Sequence, residues 1–202
     1  MIYLEKLDKP DEALSLLQTM KKNNINRDVT SYTACMKAYE NNGDGIKSLN
    51  LLEEMIEDGI AYNTQTCNVV LWACVKGGYY LNAIQLFNKM NALRLKMDSN
   101  SYNAAIWAME QSGDSNKAVN LLRSMRIEGI DRQPIAFDGV LSALNNDNNW
   151  KEMIEISSWM QLDQVDKSPI TYKLLIDALD RNNELQLLGE VYLEALRYGY
   201  YR

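Results

Sequence analysis

Few side chains in this 202-residue chain are of types that do chemistry at neutral pH, and their spacing narrows the choice further. Histidine is absent. That excludes Ser-His-Asp and Cys-His nucleophile systems, histidine-bearing zinc sites and the H-x-E deaminase signature. The three cysteines, Cys35, Cys67 and Cys74, form no C-x-x-C pair, and an odd number argues against a disulfide framework. Free thiols at helical packing positions behave as small hydrophobes. Asp177 and Asp180 make an acidic pair, for which a solvated helix face is the commoner explanation than a cation site. Gly43-Asp44-Gly45 has the composition of a phosphate loop but lacks a preceding strand, and reads as a turn. No catalytic residue, cofactor site or metal site is expected.

What remains is aromatic. Trp72 and Trp107 lie 35 residues apart, with Val75 one turn beyond Trp72, Glu40 and Glu110 flanking Val75 in its row, and Lys37 nearby. Three readings stay open. The tryptophans are packing residues turned partly inward, or platforms that stack bases at roughly 1–3 kcal/mol each, or a hot spot with an acidic rim suited to a basic partner helix. Twenty-one basic residues against 27 acidic ones give a formal charge of -6, so no global basic field recruits nucleic acid. The longest apolar run, Val69 to Val75, is too short to span a bilayer, and the start has the pattern of neither a signal nor a transit peptide.

The elements that must position these residues are set by an internal repeat. Segments begin at Val29, Thr64, Ser99, Pro134 and Pro169, each 35 residues after the last without insertion. Numbering slots from one in each segment, slot ten is Ala38, Ala73, Ala108, Ala143 and Ala178, and slot four is Tyr32, Cys67, Tyr102, Phe137 and Tyr172. Slot 27 is Met55, Met90, Met125 and Met160 before it breaks to Ala195. Each segment holds two apolar stripes of helical spacing, such as Cys67, Val70, Leu71, Cys74 and then Ala83, Leu86, Phe87, Met90. Between them stand Gly43, Gly78 and Gly113, or Asn148 and Asn183, the residues that tolerate the left-handed backbone closing a helix. Each segment is therefore an antiparallel helix pair, and stacking buries a face that one pair cannot cover. The expected organisation is one array over residues 1–202: a partial unit at 1–28, in which Met1 stands at slot eight, then 29–63, 64–98, 99–133, 134–168 and 169–202.

The aromatic at slot four, Ala at slot ten, Gly at slot 15, Met at slot 27 and Gly-Ile near slots 31 and 32 resemble the pentatricopeptide repeat. The best match runs from Ser99-Asn100-Ser101-Tyr102-Asn103 to Met125-Arg126-Ile127-Glu128-Gly129-Ile130. The resemblance implies an all-α, right-handed α-solenoid (superhelix) of tandem 35-residue helix-turn-helix repeats, and an organellar setting, chloroplast or mitochondrion. It also implies that slot five and the last slot of each unit read one base edge of single-stranded RNA, with slot two packing on the base. The pairs are then Thr33 with Asn63, Asn68 with Asp98, Asn103 with Gln133, and Asp138 with Ser168. The first two resemble combinations for adenine and uracil, and the other two match no recognised one. Lys76 is the lysine expected at slot 13 for phosphate.

Helical spacing puts Lys37, Lys76, Lys173 and Arg181 against Glu40, Glu110, Asp138, Asp177 and Asp180 on the first helices, a slightly negative sum that offers phosphates little. With slot two polar at Thr30, Gln65 and Asn100, the sequence reading favours a non-catalytic module that docks protein partners in a larger assembly. A sequence-selective binder of single-stranded RNA is the alternative. No membrane insertion is expected.

Overall fold

The computed structural model describes residues 9–200. Among these residues are eleven α-helices of 13 residues and no strand: α1 (Pro10–Lys22), α2 (Val29–Asn41), α3 (Gly45–Glu57), α4 (Thr64–Lys76), α5 (Tyr80–Ala92), α6 (Ser99–Gln111), α7 (Ser115–Ile127), α8 (Pro134–Asn146), α9 (Trp150–Leu162), α10 (Pro169–Arg181) and α11 (Leu185–Arg197). The expected first helix of the partial unit, with Met1 at slot eight, lies outside the described residues, as does Tyr201.

The helices start at slot one because slot 35 caps them. Asp28, Asn63 and Asp98 each accept a hydrogen bond from the backbone N–H three residues on, at Ser31, Thr66 and Ser101, and Ser168 Oγ accepts from Thr171. Such a cap satisfies a donor that the first helical turn leaves orphaned. Gln133 makes no side-chain cap, and α8 starts instead on Pro134, whose fixed φ suits the first helical residue. Helices α2, α4, α6, α8 and α10 end on left-handed residues at Gly43, Gly78, Gly113, Asn148 and Asn183. The turn Gly43-Asp44-Gly45 is a tight corner: Asp44 Oδ1 accepts from Lys47 N, and a Cβ on Gly45 would fall 2.6 Å from Cys74 Cα.

The chain divides into two compact units, one ending at Ala108 and the other beginning at Met109, so the cut falls within α6 and not between repeats. In the first unit, α2 packs on α1, α3 and α4, and α4 packs on α3 and α5. In the second, α8 packs on α7, α9 and α10, and α10 packs on α9 and α11. The slot-ten alanines are fully or almost fully buried throughout, so a larger side chain there has no free space. Ala108→Leu is expected to cost about 1–3 kcal/mol by overpacking, read as an earlier urea midpoint; an unchanged midpoint would contradict the register.

A second device recurs at slot 34 and was not read from the sequence. Arg27, Arg132 and Lys167 are buried cations, lying over the slot-four rings of Tyr32, Phe137 and Tyr172 at 5.3, 5.4 and 5.7 Å from the ring centroids. Each also pairs with acids in the last turn of the second helix of the following repeat or at the residue that caps it. Arg27 bridges Glu54, at 2.6 Å, and Asp58; Arg132 pairs with Asp163; Lys167 pairs with Glu194 at 2.8 Å. Slots 26 and 30 supply the acids, so cation, ring and carboxylate fasten a linker to a helix pair. Where slot 34 is Tyr62 or Met97, no such cation exists.

Candidate functional site

The first helices of the N-terminal unit enclose a groove of about 1040 Å³ whose lining follows the repeat slots. Thr33 and Asn68 (slot five), Asn63 and Asp98 (slot 35), and Thr30, Gln65 and Asn100 (slot two) all contribute, with Lys37, Trp72, Glu40 and Lys76 further along α2 and α4. The slot-two side chains are exposed, whereas Asn68 is buried at the floor.

Two of the expected recognition pairs are brought together directly. Asn68 Nδ2 donates to Asp98 Oδ1 at 2.9 Å, and Ser168 Oγ donates to Asp138 Oδ2 at 2.8 Å. Asp138 is also bonded by Thr171, and its burial pushes the carboxyl above the usual carboxylate range against the pull of these hydroxyls. Thr33 and Asn63 converge on one hydroxyl: Thr66 Oγ1 lies 3.3 Å from Thr33 Oγ1 and 3.1 Å from Asn63 Oδ1. Asn103 and Gln133 belong to different compact units. Asn103 Oδ1 is buried without a hydrogen-bond partner among the described residues.

The acidic rim expected around the tryptophans is not there. Glu40 is buried with its side chain 5% exposed, held by Lys37 and by Lys76 Nζ at 2.7 Å. Glu110 is buried too, accepting from Ser142 Oγ at 2.7 Å and from Gln111 Nε2 at 2.8 Å. A carboxylate taken out of water is stable only with such partners, so neither offers a free negative charge to a ligand. The tally of charges by helical spacing therefore misjudged the groove. Two half-exposed lysines share one buried carboxylate, which leaves one positive charge near Trp72. Asp177, Asp180 and Lys173 are exposed on α10, where Arg181 reaches Asn145.

The tryptophans separate in role. Trp72 is half-buried and lines the groove. Trp107 is half-buried, its indole Nε1 enclosed without a hydrogen-bond partner among the described residues, and it is not among the groove-lining side chains; nor is half-buried Val75. Burial raises the thiols of Cys35 and Cys74 to about 12 and of Cys67 to about 11, so they stay protonated and are poor nucleophiles and ligands. Among the described residues, no group of three His, Cys, Asp or Glu side chains could hold a metal ion. None of the described helices is long and apolar enough to cross a membrane.

One signal would have found most of the missed contacts. Lys76–Glu40, Ser101–Asn68 and Ser142–Glu110 join residues 36, 33 and 32 positions apart, which is the distance to the neighbouring repeat. Testing complementary side chains at about one period, and not only along one helix, exposes them.

The sequence profile of the pentatricopeptide repeat domain matches residues 15–77 and 85–146, more than half of the chain. The chain belongs to the pentatricopeptide repeat family. Pentatricopeptide repeat structures share its fold at low identity. The PPR domain of Arabidopsis thaliana protein-only RNase P 1, solved in complex with tRNA, superposes with a TM-score of 0.75 at 14% identity, over 83% of this chain and 88% of that one. Nuclear proteinaceous RNase P 2 from A. thaliana gives 0.73 at 11% identity, over 83% of this chain and 38% of its own. The maize pentatricopeptide repeat protein PPR10 gives 0.53 at 18% identity, over 98% of this chain. The chain thus spans 33% of PPR10 and 38% of RNase P 2. No curated protein matches the sequence significantly. These likenesses establish an all-α pentatricopeptide repeat fold, as the resemblance implied.

Proposed function

We propose that this pentatricopeptide repeat protein binds single-stranded RNA, without catalysis, in the groove between Val29 and Asn100, with an organellar transcript as the target that family membership suggests. The observation that carries the reading is the arrangement of the groove floor. The polar slot-five side chains Thr33 and Asn68 sit beside the slot-35 side chains Asn63 and Asp98, below exposed slot-two residues, with lysines within the same lining. Paired donors and acceptors of fixed spacing are what a base edge requires. PPR10 has been solved with an 18-nt psaJ RNA element and the RNase P 1 repeat domain with tRNA, which supports the same use here. The protein-docking reading rested on the slightly negative charge sum, the irregular recognition pairs, the polar slot-two residues and an acidic rim beside the tryptophans; the burial of Glu40 and Glu110 takes away the last of these.

The test is a panel of single-stranded oligonucleotides containing adjacent adenine and uracil, titrated against the full chain at several salt concentrations. Sequence-dependent binding is expected. Lys37 and Lys76 together with Glu40 leave one net positive charge for phosphate, so log K should fall against log salt with a shallow slope of ~0.7. Trp72→Ala should weaken every oligonucleotide, by about 1–3 kcal/mol if its ring stacks a base. Absence of binding at low salt would overturn the reading, and co-purification of a protein partner lost in Trp72→Ala would restore the docking alternative.

A further inference from the structure

A third residue stands behind each well-formed recognition pair. It occupies slot three of the following unit, and it is a buried hydroxyl in all three cases: Thr66, Ser101 and Thr171. Thr66 reaches Thr33, Ser101 reaches Asn68 at 2.6 Å, and Thr171 reaches Asp138 at 2.5 Å. At Asn68 this contact has a chemical consequence. An asparagine amide has two orientations related by a half-turn, one presenting N–H and the other C=O. The Asp98 carboxylate only accepts, so the amide nitrogen must face it, as it does at 2.9 Å. The amide oxygen then faces Ser101 Oγ, which donates to it. The same hydroxyl lies 3.1 Å from Asp98 Oδ1 and 3.3 Å from Asp98 N, so it is held from both sides.

We propose that Ser101 is a positioning residue for base recognition. Its hydroxyl locks the Asn68 amide so that the groove meets an N–H donor beside the Asp98 acceptor. Without that hydroxyl, the buried Asn68 oxygen loses its partner, and only the Asp98 contact still orders the amide, which then swings about its side-chain torsions. The N–H donor is no longer held at a fixed place beside the Asp98 acceptor, so the two-point contact with a uracil edge weakens. Ser101 lies below the floor and touches no base; it acts through Asn68. The proposal rests on the RNA-binding reading above.

The experiment uses the full chain and single-nucleotide variants of its tightest oligonucleotide, with the nucleotide facing Asn68 identified as the one whose preference Asn68→Ala erases. Ser101→Ala is expected to reduce the preference for uracil there about tenfold, while affinity for oligonucleotides mismatched at that nucleotide stays level. Ser101→Cys keeps the volume, donates only weakly, and should behave like Ser101→Ala should the alanine variant unfold. Ser101→Thr, the residue type found at Thr66 and Thr171, should retain the preference. An unchanged preference in Ser101→Ala and Ser101→Cys overturns the proposal and leaves RNA binding intact. A uniform loss for all four bases also overturns it, since that is the signature of helix capping alone. A wild-type chain that binds no RNA overturns both readings.

Discussion

Arg27→Ala is expected to destabilise the N-terminal unit by about 2–3 kcal/mol, read from urea unfolding and from faster amide exchange in α2 and α3. The guanidinium is 7% exposed between Glu54 and Asp58, whose side chains are 31% and 21% exposed. Because solvent reaches the acids, the loss stays below that of a fully buried pair. Truncation also removes the cation from the Tyr32 ring. Arg27→Lys should recover part of the loss, since Lys167 fills the same slot against Glu194 and Tyr172. The deficit has a pH signature. The Tyr32 hydroxyl, which donates to Asp58 at 2.5 Å, and then the Arg27 charge hold the Asp58 carboxyl below its ordinary 3.8. A carboxyl with a depressed folded pKa contributes stability that is complete above its unfolded value and is lost as pH falls through the folded one. The difference between wild type and Arg27→Ala should therefore be full at neutral pH and shrink below about pH 3.8. Equal stability of the two proteins at pH 7 would refute the bridge as an energetic element.

The second large effect is a change of base preference. Replacing Asn68→Thr together with Asp98→Asn copies the Thr33 and Asn63 pair into the next unit. Under the family resemblance that exchanges a uracil combination for an adenine one. Discrimination by a good two-point contact is worth about 1–3 kcal/mol, so the preference at one nucleotide should invert by roughly one to two orders of magnitude. The fold should tolerate the change. Asn63 already caps α4 as Asp98 caps α6, and asparagine and aspartate cap about equally well. Thr33 already shares a hydroxyl contact with Thr66, as a threonine at position 68 would with Ser101. Retention of the uracil preference would show that the groove does not read bases through these slots.

Much of the architecture was legible because it is local and periodic. The helix starts at Val29, Thr64, Ser99, Pro134 and Pro169, the left-handed residues from Gly43 to Asn183 and the buried alanine row depend on residue types that act within a turn or at an identical place in every repeat. The candidate site was legible only in part. Slots two and five lie on the inner face that helical spacing gave them, whereas slot 35, which only the family resemblance singled out, caps the following helix, and slot three was not foreseen. Trp72 and Trp107 hold the same slot, yet only Trp72 lines the groove. Tyr200 lies 5.5 Å and Tyr198 6.4 Å, centroid to centroid, from Tyr172, so both fold back on α10.

By itself, then, the sequence determined the period, the helical hairpins, the turn positions and the helical phase of each side chain. Only the tertiary structure decided which charges reach water: Glu40 is sealed between Lys37 and Lys76, Glu110 lies against Ser142, and Arg27, in a linker, sits between two acids of the next helix pair. The reason is physical. Helical spacing fixes the direction in which a side chain points, but the solvation of a charge depends on atoms about one repeat away, and burying an ion without its partner costs more than most helix-forming preferences contribute.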